Sequence, residues 1–123
     1  FDFKVFEDIG AKIIEEPAYM LLPLVDVYIA TVSSTIRWAI SCGVPVLNFD
    51  FYRYRYSDFM NLDGVIYADT EMNFLVSFRA LIEQDDYYNK VKEFQKNISS
   101  QWGVLDGACC LRILKYIQSI VLH

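Results

Sequence analysis

Between Val27 and Phe49 the chain runs 23 residues with Arg37 as its only charge. A stretch this long and apolar either crosses a bilayer or is buried in protein. Ser33, Ser34, Thr35, Gly43 and Pro45 cut it into pieces too short to span, so no transmembrane segment is predicted here. Val27 to Thr31 is a β-rich run, Ser33-Ser34-Thr35 are three helix-capping residues in a row, and Ile36, Ala39 and Ile40 recur at helical spacing. Gly43 and Pro45 stop that helix, and a second strand follows from Pro45 to Asp50. Strand, turn, helix and strand in this order, with both strands apolar on both faces, is the pattern of a buried parallel sheet.

The flanking sequence extends the unit. A first strand is predicted at Ala11 to Ile14, ending in Glu15-Glu16-Pro17, and a short helical pattern runs from Ala18 to Val25 despite Pro23. Phe51 to Asn61 is irregular, aromatic and basic; Asp63-Gly64 signals a turn into a strand at Val65 to Ala68. From Thr70 the apolar spacing becomes helical. Met72, Leu75, Val76, Leu81 and Ile82 mark one helix, started by Thr70 or Asn73, and a second runs from about Asp85 to Ser99. A last helix spans Cys109 to Val121 with Leu111, Leu114, Ile117 and Val121 inward. Strands alternating with helices predict an α/β fold: a doubly wound parallel sheet with a helical C-terminus. At 123 residues, 54% hydrophobic, the chain is sized for one domain, and its start without an initiator Met or leader suggests a piece of a longer, two-domain protein.

Charge and rare residues narrow the chemistry. Sixteen acidic against 11 basic side chains give a net charge of −5, which argues against a nucleic-acid binder. The odd cysteine count, with Cys109 and Cys110 adjacent, suits a reduced, cytoplasmic protein. Cys109-Cys110 is expected on a buried helix face. The single histidine is His123, which excludes Ser-His and Cys-His nucleophile pairs and His-rich zinc sites within these residues. No GxGxxG and no Walker loop is present.

In an open parallel sheet, ligands lie beyond the carboxyl ends of the strands. The predicted ends are Glu15-Glu16-Pro17, residues 31–35, and Asn48-Phe49-Asp50. Ser33, Ser34 and Thr35 at a helix start combine free amides with hydroxyls, a site for an anion such as phosphate; the same residues suffice as a cap with no ligand. Arg37 lies off the apolar stripe and points either at the same anion or into solvent. Tyr52-Arg53-Tyr54-Arg55-Tyr56 alternates rings and guanidinium forks that suit a nucleoside diphosphate, and an edge strand would give the same alternation.

The run Asp26-Val27-Tyr28-Ile29-Ala30-Thr31-Val32-Ser33-Ser34-Thr35, followed by Ala39 and by Gly43-Val44-Pro45-Val46, resembles the C-terminal, donor-binding half of GT-B glycosyltransferases, over about residues 11 to 70. It is also similar to the non-hydrolysing UDP-N-acetylglucosamine 2-epimerases, which share that fold. Pro45-Val46-Leu47-Asn48-Phe49-Asp50 with Tyr52 and Tyr54-Arg55-Tyr56-Ser57-Asp58-Phe59 resembles the glycerophosphotransferases that use CDP-glycerol. An acidic residue that GT-B enzymes often place a few positions after the serines has no match here, where Arg37 and Trp38 stand.

These resemblances imply a nucleotide-donor-binding domain of a transferase in surface polysaccharide or related glycan synthesis. Ser33, Ser34, Thr35, Arg37 and Arg55 would hold the donor phosphates, and Asn48 or Asp50 the ribose or transferred group. Glu16 and Pro17 would line the base, with Tyr52 beside it. The donor is a nucleotide-sugar or CDP-polyol, with neither metal nor cofactor expected. The acceptor domain, and with it peripheral contact with the inner face of the membrane, would lie N-terminal to this chain. Two rivals are a 2-epimerase, with Asp50, Asp58 and Glu16 as its carboxylates, and a non-catalytic interaction module docking through Phe51 to Met60.

Overall fold

A computed structural model describes residues 4–121. Three strands, β1 (Tyr28–Ala30), β2 (Val46–Phe49) and β3 (Val65–Ala68), form one parallel sheet in the order β1-β2-β3. Tyr28 pairs with Val46 and Val46 with Val65, so the three strands end at one common edge. Six helices accompany them: α1 (Lys4–Asp8), α2 (Ala18–Leu21), α3 (Ile36–Ser41), α4 (Glu71–Glu83), α5 (Asp85–Trp102) and α6 (Cys109–Val121). The fold is α/β, as the alternation predicts.

The strand order runs one way, without the reversal that marks the switch point of a doubly wound sheet. The predicted strand at Ala11 to Ile14 is not formed: those residues lie in irregular chain with Ile13 and Ile14 exposed. A strand needs a neighbour, and residue pattern alone does not supply one.

Alternation along β2 divides the core. Val46 joins Ile36, Ala39 and Ile40 of α3, all four fully buried, on one face, while Leu47 joins Ala68, Leu81 and Val91 on the other. The inward stripe of α4 is Phe74, Phe78 and Leu81, with Met72 and Val76 outside. Helix α5 serves both clusters, through Tyr87, Tyr88 and Val91 at one end and Ile98 and Trp102 at the other. Strand β1 is at the sheet edge, which leaves Ile29 43% exposed where burial on both faces was expected.

Helix ends follow local chemistry. Gly43, at φ +69°, closes α3: its amide donates to Ile40 O and that of Val44 to Ala39 O, the paired bonds of a Schellman motif. Thr70 Oγ1 accepts from Asn73 N at the start of α4. Pro23 sits in a 3-10 turn at Leu22–Leu24, where its missing N–H costs nothing.

Helix α6 has the predicted bounds but not the predicted burial. None of its residues is buried, and Leu111, Leu114, Ile117 and Val121 are at least half exposed. Cys109 and Cys110 are exposed as well, against the expectation of a buried face. Periodicity shows which residues share a face; it does not show what covers them.

Candidate functional site

The loops after β1 and β2 both leave the carboxyl edge of the sheet, and they meet there. A cleft of 310 Å³ between them is lined by Val32, Ser33, Ser34 and Arg37 from the first loop and α3, and by Tyr56, Asp58 and Phe59 from the second. This is where a parallel sheet is expected to bind. A larger groove of 650 Å³ is lined entirely by residues between Ile13 and Leu24, and offers only the adjacent Glu15 and Glu16 as charges. The smaller cleft has convergent polar groups from separate elements and is the better candidate.

The first loop is built to present backbone. Val32 has φ +44°, a left-handed conformation that costs a β-branched residue on the order of 1–3 kcal/mol and needs support from its surroundings. That support comes from β2: Val32 N donates to Asn48 Oδ1 at 3.2 Å. The amides of Ile36, Arg37 and Trp38 are taken by the carbonyls of Ser33, Ser34 and Thr35, and Thr35 N donates to Ser33 Oγ. The amides of Ser33 and Ser34 themselves donate to no acceptor among the described residues. The open donors therefore precede α3, a six-residue helix.

The three hydroxyls differ. Thr35 Oγ1 is hydrogen-bonded to the Tyr28 hydroxyl and to Ser33 Oγ, so the Thr35 and Ser33 hydroxyls are engaged with each other, and Thr35 lies outside the cleft lining. Ser34 is exposed and lines the cleft. Arg37 lies beside it, its guanidinium 5.8 Å from the centre of the Trp102 ring and 3.6 Å from Asp58 Oδ2. Both partners of that ion pair are more than half exposed, so the pair is worth at most about 1 kcal/mol and an anion can compete for Arg37.

Asp50 organises the second loop. Its carboxylate is fully buried and accepts from Tyr54 N at 2.9 Å, Arg55 N at 2.7 Å and the Tyr67 hydroxyl at 2.8 Å. Burial pushes its pKa up, but the Arg55 and Tyr54 amides and the Tyr67 hydroxyl outweigh burial and hold it below the ordinary carboxylate value. Tyr67 is pushed up, by burial and then by that same bond. Arg53 and Arg55 have φ of +55° and +54°, so the carboxylate anchors a loop that would otherwise be strained.

The predicted site residues thus separate. Ser33, Ser34 and Arg37 come together in the cleft, and Thr35 is displaced from it by Tyr28. Asn48 and Asp50 are buried outside the cleft lining and accept from backbone amides, Asn48 from Val32 and Asp50 from Tyr54 and Arg55, so each supports one of the two loops. Arg55 and Tyr52 are exposed outside the lining, Tyr52 in a run of contacting rings from Phe49 through Phe51, Tyr52 and Tyr54 to Tyr56. Glu16 lines the separate groove and Pro17 precedes α2; with no strand at 11–14 to end there, neither reaches the cleft lining. Val32 carries no signal in the sequence that marks it as lining; Tyr56 belongs to the aromatic and basic run, Asp58 is one of the carboxylates considered for an epimerase, and both fall with Phe59 in the run that carries the glycerophosphotransferase resemblance. Among the described residues no group of His, Cys, Asp and Glu could hold a metal ion, and no helix is long and apolar enough to cross a membrane.

Comparison of the chain with protein-family models, with curated proteins and with solved structures finds no match in any of the three.

Proposed function

We propose that the cleft binds the phosphates of a nucleotide-activated donor, and that the chain is the donor-binding part of a glycosyltransferase acting in surface polysaccharide or related glycan synthesis. The observation that carries this reading is the convergence of two unpaired amides, Ser33 and Ser34, with the exposed Ser34 hydroxyl and Arg37 at the carboxyl edge of a parallel sheet. These groups offer an anion several donors and one full positive charge, the complement that charge developing on a leaving phosphate requires. Arg37 and the amides supply it without a metal.

In this reading the three strands belong to a Rossmann-like, doubly wound sheet completed outside residues 1–123. The acceptor and the catalytic base lie with the missing domain, so this chain binds donor without turning it over. Asp58 exchanges its contact with Arg37 for the donor's hydroxyl groups as the phosphate arrives.

A second reading, a CDP-glycerol-type phosphotransferase, is favoured by the presence of Tyr56, Asp58 and Phe59 in the lining. The 2-epimerase reading has only Asp58 of its three carboxylates in the cleft, since Asp50 is occupied by three donors and Glu16 lies in another groove. Calorimetric titration with UDP and with CDP separates the transferase readings. Arg37→Ala should weaken the preferred nucleotide about tenfold, the worth of one charge-assisted hydrogen bond. Equal binding by parent and variant, or none at millimolar concentration, refutes the site.

A further inference from the structure

We propose that α6 is a membrane-surface helix that lays its apolar face on anionic phospholipid. Cys110, Ile113, Leu114, Ile117 and Val121 recur at i, i+3, i+4, i+7 and i+11, which puts them on one side, and all are exposed. An isolated helix of this length is marginal in water, so a surface that takes up its apolar side also holds it together.

The charge pattern selects the surface. All 16 acidic residues of the chain lie at or before Asp106, with nine of the 11 basic ones, so residues 1–106 carry a net charge of −7. The remainder carries Arg112 and Lys115 and no acid. Both cations fall on the side of α6 away from the apolar stripe, the arrangement of an interfacial amphipathic helix attracted by anionic lipid. Lys115 forms no ion pair among the described residues. Arg112 is held by Asp106 at 2.7 Å, an exposed pair that lipid phosphate can open.

A second copy of the chain fits less well. Packing α6 against its twin leaves Arg112 and Lys115 on the far side of each helix with no acid on either to answer them, whereas helix pairs draw their specificity from opposite charges at the flanks.

Flotation of the full chain with vesicles tests the proposal. At low salt it should rise with vesicles of phosphatidylcholine and phosphatidylglycerol and remain behind with phosphatidylcholine alone. Lys115→Glu should weaken binding at least fivefold, and Ile117→Glu at least tenfold. Neither position belongs to the core clusters and both are exposed, so the thermal midpoint of each variant should match the parent. Failure to float, equal binding to both vesicles, or binding indifferent to Ile117→Glu overturns the proposal. So does a dimer in sedimentation that Ile117→Glu dissolves. Nucleotide binding enters none of these readouts.

Discussion

Replacing Asp50 with Asn tests whether one buried carboxylate holds the second loop of the cleft. The native group accepts three hydrogen bonds, one at Oδ1 from Tyr54 N and two at Oδ2 from Arg55 N and the Tyr67 hydroxyl. Asparagine keeps one oxygen. Its best placement leaves that oxygen facing Arg55 N and Tyr67 and turns the amide nitrogen toward Tyr54 N, donor against donor. One bond to a charged acceptor, about 2 kcal/mol, is then lost outright, and the two that remain fall to neutral strength. The expected loss is about 3 kcal/mol, a fall of about 12 °C in Tm for a domain of this size. Tyr67→Phe removes a single bond and should cost about 2 kcal/mol. Because both changes act on one carboxylate, the double variant should be less destabilised than the sum, with a coupling of at least about 1 kcal/mol. Thermal unfolding of the four proteins measures all of this. A Tm for Asp50→Asn within about 4 °C of the parent, or strict additivity with Tyr67→Phe, would refute the anchoring role.

Further outcomes follow from the same structure. The folded-state pKa of Asp50 lies below its ordinary value, so its contribution to stability is present above about pH 4 and is lost as pH falls toward the folded value; acid unfolding of Asp50→Asn should lack that dependence. Gly64→Ala should cost about 3 kcal/mol in urea unfolding, because φ is +78° and a Cβ would lie 2.1 Å from Gln95 Oε1 and 2.8 Å from Gln95 Cα; a cost below about 1 kcal/mol contradicts the close approach. Gln95 is fully buried with neither amide atom hydrogen-bonded among the described residues, so Gln95→Met should leave stability unchanged or raise it by about 1 kcal/mol, and a clear loss would mean that the amide has a partner. In thiol labelling of the native protein Cys109 and Cys110 should react fast and Cys42 slowly, since Cys42 is half-buried and burial pushes its thiol pKa up; three equal rates would contradict this.

The sequence makes the centre of the fold legible because there the local signals agree. Capping residues, the Ile36/Ala39/Ile40 stripe and the Gly43-Val44-Pro45 stop all point to one helix between two strands, α3 forms between that cap and that stop, and β2 and β3 lie within a residue of their predicted bounds or on them. The misses have physical causes. Ile13 and Ile14 are β-branched, but a strand exists only where a neighbour donates and accepts, and none lies beside them among the described residues. The stripe of α6 is real as a pattern and uncovered in fact. At the edge of the sheet, Ser33, Ser34 and Arg37 line one cleft, while Asn48 and Asp50 bond to the backbone of the two loops. A polar residue at a strand end can face ligand or turn back on its own loop; the second requires left-handed residues at Val32, Arg53 and Arg55, which carry no glycine signal. Asp58 and Tyr56 enter the cleft through a loop whose path depends on that buried carboxylate.

The proposed donor site depends on the Ser33 and Ser34 amides accepting an anion as their partner. Recording backbone amide resonances of the chain while UDP, CDP and inorganic pyrophosphate are added in turn tests it directly. Ser33 and Ser34 should shift first and furthest, with Arg37 following and the residues of α6 unmoved. Shifts centred on the groove between Ile13 and Leu24, or no shift with any of the three, would contradict it.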